Sequence, residues 1–422
     1  MSGNLWLKLS VDGGKTFTDL DWTKIFDVNK DYGTWAGDQV IHYIPALDCF
    51  ILYVQSYKVT SGANINKNVV KVALASQADL KKFKGAKAAW WRQWDFTSDT
   101  FGLGNAWMDF PDISYGEKYL YVNTNVFAGQ TGKLFFELPL ADMQAGRGFS
   151  FQYAFINEPK LSIGSPTQNI VGDENYWAAH VNNSTMRIYS SKGTDVNYAW
   201  RERKINNWPM TADNNIVSKA PDSSDWISED HRIIGATRVN NQLWFAWTAA
   251  EGDGGGGGFK FPQPHVQIAK FDLDQDYKLI EQTQVWNADH VYAYPSLTTN
   301  SDNEVGISLS WGGGNKYFGN HAVGILGDFV VWFGEASDVT LLRQQVDGSG
   351  KLVVDSKGNP VMAQTRWGDY VHVRLAHPDT RFFSAFGYAV RNDATLAAPS
   401  IGRFDYLYVE FGRQALAPSP VR

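Results

Sequence analysis

The sequence predicts an all-β fold: a six-bladed β-propeller formed by a single domain over residues 1–422, with N-terminal strands completing the last blade. Its composition is rich in turn and sheet formers, one kind of hairpin recurs six times, and unpartnered strand-like segments stand at both ends. The 422 residues include 39 Gly, 17 Trp, 19 Tyr and 25 Phe, against 19% charged residues. Glycine permits tight turns, and aromatic side chains suit the half-buried face of a pleated sheet. A hydrophobic fraction of 44% supplies a core and excludes a disordered chain. Propellers run long as single units, so the length fits one domain.

The recurring unit is a strand, a short Asp/Asn/Gly turn and an aromatic-rich strand. The six copies are Ile44–Phe50, Ser114–Leu120, Val171–Trp177, Arg238–Trp244, Asn300–Val305 and Ala376–Phe383. Asn, Asp and Gly tolerate turn dihedrals, and the flanks alternate as hairpin strands do. The turns fall about 55–80 residues apart, a long form of the period of four-stranded blades. Blades are expected over 38–97, 106–156, 164–205, 230–286, 293–340 and 364–411. Seven blades are the alternative, with Gly350–Met362 hiding a hairpin around Asp355-Ser356-Lys357-Gly358-Asn359; its polar composition reads better as an insertion. The closing strands are expected within residues 1–22, which would leave no exposed sheet edge. Helical pattern is confined to a turn near Ser76–Phe83. Gly254–Gly258 reads as a loop tip or a lid.

Composition also excludes partners. A net charge of −6 and a pI near 5.8 argue against a nucleic-acid surface. The basic run Lys81, Lys82, Lys84 and Lys87 reads as a solvated loop. No apolar run is long enough to span a bilayer. The single cysteine, Cys49, reads as a small strand hydrophobe. Residues 1–15 lack a signal-peptide pattern, so the chain is cytoplasmic or is a secreted protein without its leader. None of the eight histidines shows metal-ligand spacing, Trp311-Gly312-Gly313-Gly314 lacks the features of a phosphate loop, and no nucleophile elbow occurs. Neither a metal nor a cofactor is expected, and the oligomeric state is open.

In a propeller, the polar residues that open the inner strands face the ligand. Here they include Asp38, Asp109, Asp112, His231, Arg232, Arg366, Asp369 and Tyr370, with Trp35 and Trp107 beside them. Aromatic faces stack on sugars, arginine grips a carboxylate bidentately, and carboxylates act as acid and base. The competing roles are structural: an Asp at a strand start bonds backbone amides, and a Trp packs.

Ser10-Val11-Asp12-Gly13-Gly14-Lys15-Thr16-Phe17 fits the pattern Ser-x-Asp-x-Gly-x-Thr-(Trp/Phe). On this motif, and on Arg366-Trp367-Gly368-Asp369-Tyr370, the chain resembles the sialidase-like Asp-box (BNR-repeat) propellers. That resemblance implies a box joining the last two strands of a blade, away from the catalytic face. The chain departs from true sialidases in lacking an early Arg-Ile-Pro, a trio of arginines and a spaced Tyr/Glu pair, so an uncharacterised branch is implied. The expected function is a secreted carbohydrate-active enzyme, a glycoside hydrolase or polysaccharide lyase acting on an acidic or decorated glycan. Asp109 and Asp369 are its acid/base candidates, and Tyr370 its nucleophile or charge stabiliser. His231 is a further acid or base. Arg232 and Arg366 would hold the carboxylate, and Asp38, Asp112, Trp35 and Trp107 would line the subsite. The alternative is a non-catalytic propeller that binds glycans or protein.

Overall fold

A computed structural model describes residues 2–413 apart from 4–5, 22–24, 27–28, 34, 83–90, 194–196, 255–257, 328–329, 335, 341, 345–352, 360, 365–366, 370 and 393–402. The described fold is all-β and antiparallel, with helix in short turns such as Gln77–Lys81 and Leu140–Ala145. Among the described residues no helix is long and apolar enough to cross a membrane.

Among the described residues, six sheets of three or four strands follow one another after a small N-terminal sheet. The first runs Trp35–Ile44, Cys49–Ser56, Val69–Ser76 and Arg92–Thr97; the second runs Trp107–Tyr115, Tyr119–Phe127, Gly132–Pro139 and Gln152–Ile156. The third has three strands, Glu174–Asn182, Thr185–Lys192 and Ala199–Lys204. The fourth comprises Ile233–Val239, Gln242–Ala249, His265–Asp272 and Lys278–Val285, and the fifth Val291–Thr299, Val305–Gly313, Tyr317–Ile325 and Val330–Phe333. The sixth is His372–Leu375, Phe383–Arg391 and Arg403–Phe411. The chain divides into two compact units, residues 1–177 with 189–200 and residues 178–188 with 201–422.

Five of the six expected hairpins join strands of one ladder. The third does not. Its leading arm pairs through an isolated bridge, Val171 to Glu174, and one backbone bond from the Thr167 N–H to the Tyr176 carbonyl at 2.8 Å. The arm contains Gly164-Ser165-Pro166, and a proline cannot donate to a ladder. Side chains add to this sparse pairing: Thr167 Oγ1 accepts from the Tyr176 N–H at 3.2 Å, and Gln168 Nε2 donates to the Ile113 carbonyl at 3.1 Å.

The first unit has one large apolar core between its first two sheets. It is filled by Val40, Ile51, Tyr53, Val70 and Val72 from one, and by Ile113, Val122, Leu134 and Phe136 from the other. Burial of each such side chain stabilises by about 1.5–3 kcal/mol. The other face of the first sheet packs Leu52, Val54 and Ala73 against Trp35, Leu7 and Leu20. Leu7 and Leu20 belong to N-terminal strands Trp6–Leu9 and Thr18–Leu20, whose described ladders stay within their own small sheet with Ser2–Gly3. Those strands were expected in the last blade; their described packing is against the first. The Ser10–Phe17 turn links them. Asp12 accepts from the Thr16 N–H at 2.9 Å and the Thr16 hydroxyl at 2.6 Å, while Ser10 Oγ accepts from the Gly14 N–H at 2.8 Å. These bonds hold the Asp12 carboxyl down at about 2.

Polar side chains repeatedly stitch one sheet to the backbone of the next sheet's leading segment. Asn68 is fully buried; its Nδ2 donates to the Met108 and Ser56 carbonyls at 2.8 and 3.1 Å, and its Oδ1 accepts from the Met108 N–H at 2.8 Å. Asn123 Nδ2 donates to the Gly164 carbonyl at 2.9 Å. In the second unit Thr248 Oγ1 accepts from the Tyr294 N–H at 3.2 Å, and Ser296 Oγ accepts from the Val373 N–H at 3.3 Å. A leading strand has one unpaired edge, and these side chains satisfy it without adding a strand.

The second unit adds glycine sockets. A Cβ on Gly387 would sit 2.1 Å from His321, one on Gly306 2.6 Å from Phe383, and one on Gly319 2.1 Å from Trp226. The rings occupy the space that those glycines leave. Insertions fold as small hairpins: Gly252–Gly254 pairs with Phe259–Phe261, and Leu342–Gln344 with Met362–Gln364. The latter caps the insertion expected at 350–362, where Asp355 Oδ1 accepts from the Asn359 N–H at 2.9 Å.

Replacing Asn68 by Ala strands both backbone groups of Met108 inside the core. Urea denaturation should show a loss of roughly 2–4 kcal/mol; a loss under about 0.5 kcal/mol, the size of an ordinary surface change, would refute the stitching role.

Candidate functional site

Interruptions in four of the leading strands place polar groups. Register shifts fall at Gly37/Val40 in the first sheet, Asp109/Asp112 in the second, Ile233/Gly235 in the fourth and Ala293/Ser296 in the fifth. At three of these bulges a side-chain-bearing residue is left-handed: Asp38 with φ 48°, Phe110 with φ 54° and Tyr294 with φ 55°. Phe110 and Tyr294 each precede a proline that cannot complete the ladder. Left-handed backbone at such residues costs about 1–3 kcal/mol and persists where the surroundings over-determine it, which is a mark of functional sites.

In the first unit two of these bulges bring carboxylates together. Gln55 is buried, and its Nε2 donates to Asp38 Oδ2 at 3.1 Å and to Asp109 Oδ1 at 2.6 Å. Both oxygens lie on one nitrogen, so their separation cannot exceed the sum of those two distances. Each carboxylate is half-buried. The Thr124 hydroxyl donates to the Asp109 carbonyl at 2.8 Å and fixes the bulge from the next strand. The Tyr53 phenol lies alongside, pushed well above its ordinary range by burial and then by the charges of Asp38 and Asp109.

Asp109, Asn125 and Lys133 stand directly opposite one another across three strands, so they share a face. Lys133 is buried, and its Nζ donates to Asn125 Oδ1 at 3.3 Å. The next rows of that face are Asp112–Asn123–Phe135 and Ser114–Tyr121–Glu137. The second sheet thus has one apolar face and one largely polar face, with Asp109 one row in from the Trp107–Phe127 end.

The other expected residues of this unit fall nearby with different roles. Asp112 is buried, and its Oδ1 accepts from the Ile113 N–H at 2.8 Å. Trp107 is half-exposed, with Lys58 Nζ 5.1 Å from its ring and Phe127 at 5.2 Å. Trp35 is 6% exposed and donates from Nε1 to the Phe26 carbonyl at 3.1 Å, which gives it to the core.

The remaining candidates lie in the second unit. His231 is buried against Trp208, with ring centroids 4.8 Å apart. Its Nε2 faces the Thr211 N–H at 3.0 Å and the Thr211 hydroxyl at 3.1 Å, and its Nδ1 the Thr248 carbonyl at 3.1 Å. That pattern sets a neutral tautomer with both nitrogens engaged, and burial lowers its pKa. Arg232 Nη2 bonds Asp230 Oδ2 at 2.8 Å. Trp367 stacks on Tyr388 at 4.3 Å and donates to Ser310 Oγ at 2.9 Å, so it packs, with Asp369 half-buried two residues on. Arg366 and Tyr370 lie outside the described residues. No group of three or more His, Cys, Asp or Glu is placed to hold a metal ion among the described residues.

Gln55, Asn125 and Lys133 were not singled out from the sequence. Each is a polar residue beside an apolar run, such as Ile51–Val54 or Leu134–Phe136, and burial of that polar residue is the signal that could have found it.

No family profile matches the chain, and no curated protein matches it. Among solved structures, a NanB sialidase mutant from Streptococcus pneumoniae is 7% identical, with a TM-score of 0.46 over 92% of this chain and 70% of that one. A protein of unknown function from Dyadobacter fermentans is 8% identical, with a TM-score of 0.42 over 89% and 94%. A family PL25 polysaccharide lyase, an ulvan lyase, is 10% identical, with a TM-score of 0.37 over 82% and 75%.

Three buried imidazoles make a pH test. Burial holds His265, His321 and His180 at about 3. Unfolded imidazoles titrate near 6.5. Between those values the unfolded chain binds the extra protons, so stability falls as pH drops from about 6.5 towards 3, by up to about 1.4 kcal/mol per pH unit for each histidine. His180→Phe, which keeps a ring against Trp208 and Trp247 at 4.6 Å, should flatten that slope in urea titrations. An unchanged slope would show that His180 titrates normally in the fold.

Proposed function

We propose that this protein processes glycans, with Asp38 and Asp109 as a catalytic carboxylate pair of the retaining glycoside-hydrolase kind. One observation carries this: a single buried amide holds an oxygen of each carboxylate. The resulting ceiling on their separation admits the roughly 5–5.5 Å of retaining enzymes. The two bonded oxygens themselves stand closer than the roughly 6.5–9.5 Å that makes room for an inverting enzyme's water. Asp109 is the acid/base of the pair and Asp38 its nucleophile. Trp107, partly buried two residues from Asp109, would meet a sugar with the part of its ring that Lys58 and Phe127 leave uncovered.

The proposal retains the six sheets as blades of a propeller closed by the N-terminal strands, and a location outside the cell where glycans are met. Asp369, Tyr370, Arg232 and Arg366 stay in it as second-unit candidates for handling an acidic group on the substrate. A second reading, glycan recognition without turnover, is favoured by Gln55 itself. Its amide already bonds both carboxylates, as a structural amide does.

The test is a panel of aryl glycosides and acidic polysaccharides, read by aglycone release, reducing ends and unsaturated-uronate absorbance. Asp109→Asn and Asp38→Asn should each lower kcat at least about 10²-fold with KM little changed. Asp369→Asn tests the second unit separately. Turnover that survives both first-unit changes removes the pair from catalysis; glycan binding with no turnover in the wild type supports recognition instead.

A further inference from the structure

The second unit carries an exposed aromatic pair far along the chain from the carboxylates. Phe259 and Trp286 are 44% and 43% exposed, with ring centroids 4.9 Å apart and planes at 52°. Phe259 lies on the hairpin Gly252–Gly254/Phe259–Phe261, and Trp286 follows the last strand of the fourth sheet. Both are braced from below. Phe261, 4% exposed, meets Phe259 edge-on at 4.9 Å and stacks on His265 at 3.7 Å. A Cβ on Gly254 would lie 2.6 Å from Pro209, so the hairpin is seated directly on that proline.

We propose that Phe259 and Trp286 form a carbohydrate-binding platform, each ring taking the apolar face of one sugar in a chain. The platform is of a size to take sugars rather than to make a protein interface by itself. The exposed parts of the two rings sum to roughly 200 Å², while a stable protein interface needs about 800 Å² on each side. A sugar ring is of the platform's size, apolar on one face and ringed with hydroxyls. The angle between the rings suits neighbouring sugars whose faces turn along the chain. Bracing by Phe261 and His265 fixes the rings before binding, so little side-chain freedom is lost on association.

The platform goes beyond the carboxylate pair and stands without it. Wild type, Phe259→Ala/Trp286→Ala and Asp109→Asn would be run through native gels cast with laminarin, xylan, hyaluronan or alginate. Isothermal titration calorimetry would give the Kd of each variant for any retarding polysaccharide. At least one should retard the wild type and Asp109→Asn equally, and the double variant should bind it at least tenfold more weakly with its melting temperature kept. Retardation by none of the four, or equal retardation of the double variant, overturns the platform. So does a concentration-dependent dimer in sedimentation that the double variant loses, since that names a second copy as the occupant. Retardation with no turnover of any glycan defeats only the catalytic pair; turnover lost in Asp109→Asn with no role for the aromatic residues defeats only the platform.

Discussion

A leading strand has a partner on one side only, and the backbone groups along its other edge still need hydrogen bonds once water is excluded. Much of this architecture answers that demand. Another strand would serve, but it would make a continuous sheet. Instead a short polar side chain reaches over from the preceding sheet: Asn68 to Met108, Asn123 to Gly164, Thr248 to Tyr294 and Ser296 to Val373. The sheets stay separate, and each remains free to bulge near the stitched point. Asp109 follows Met108 directly, so the anchored backbone and the carboxylate belong to the same short piece of strand.

The second sheet shows what that arrangement requires of side chains. Its apolar face fills a core with Val122, Leu134 and Phe136, while the opposite face carries Asp109, Asn125 and Lys133 in one row and Ser114, Tyr121 and Glu137 in another. Burial of polar groups is tolerable only when they bond one another. The row containing Lys133 and Asn125 does so, and the Ser191 hydroxyl reaches Glu137 at 3.2 Å. A face of this kind cannot be exchanged for an apolar one without unmaking Asp109's surroundings, which ties the chemistry of the site to the packing of the sheet.

Hairpins were legible because their signals are local. An Asp or Asn turn between alternating strands says the same thing in isolation as in the fold, and Asp48, Asn240 and Asn303 do adopt the left-handed geometry that such turns use. The third hairpin pairs more sparsely than the others, and Pro166, which has no N–H, stands in its leading arm beside the one backbone bond from Thr167. The site was legible only in part. Asp38 and Asp109 stood out as polar openings of inner strands, but Gln55, which joins them, lies 17 residues from one and 54 from the other. Nothing in a neighbouring run of sequence announces that meeting. Trp35 and Trp107 read alike from sequence, and tertiary packing separated them: one donates its indole N–H into the core, the other keeps part of its ring outside. The two bulge dipeptides, Phe110-Pro111 and Tyr294-Pro295, carried a clearer message than was taken from them, because a proline inside a strand marks a break in the ladder.

The glycine sockets of the second unit bear on how such a sequence can drift. Where the missing side chain of Gly387 leaves room for His321, or that of Gly319 room for Trp226, neither member of the couple can change alone. A methyl group on the glycine meets the ring, and a smaller ring leaves a void whose lining loses its contacts. Inheritance should therefore preserve such couples together or replace them together. Aligned relatives would then show correlated columns at positions far apart in the chain, and those columns would mark shape complementarity even where overall identity has fallen too low to trace descent.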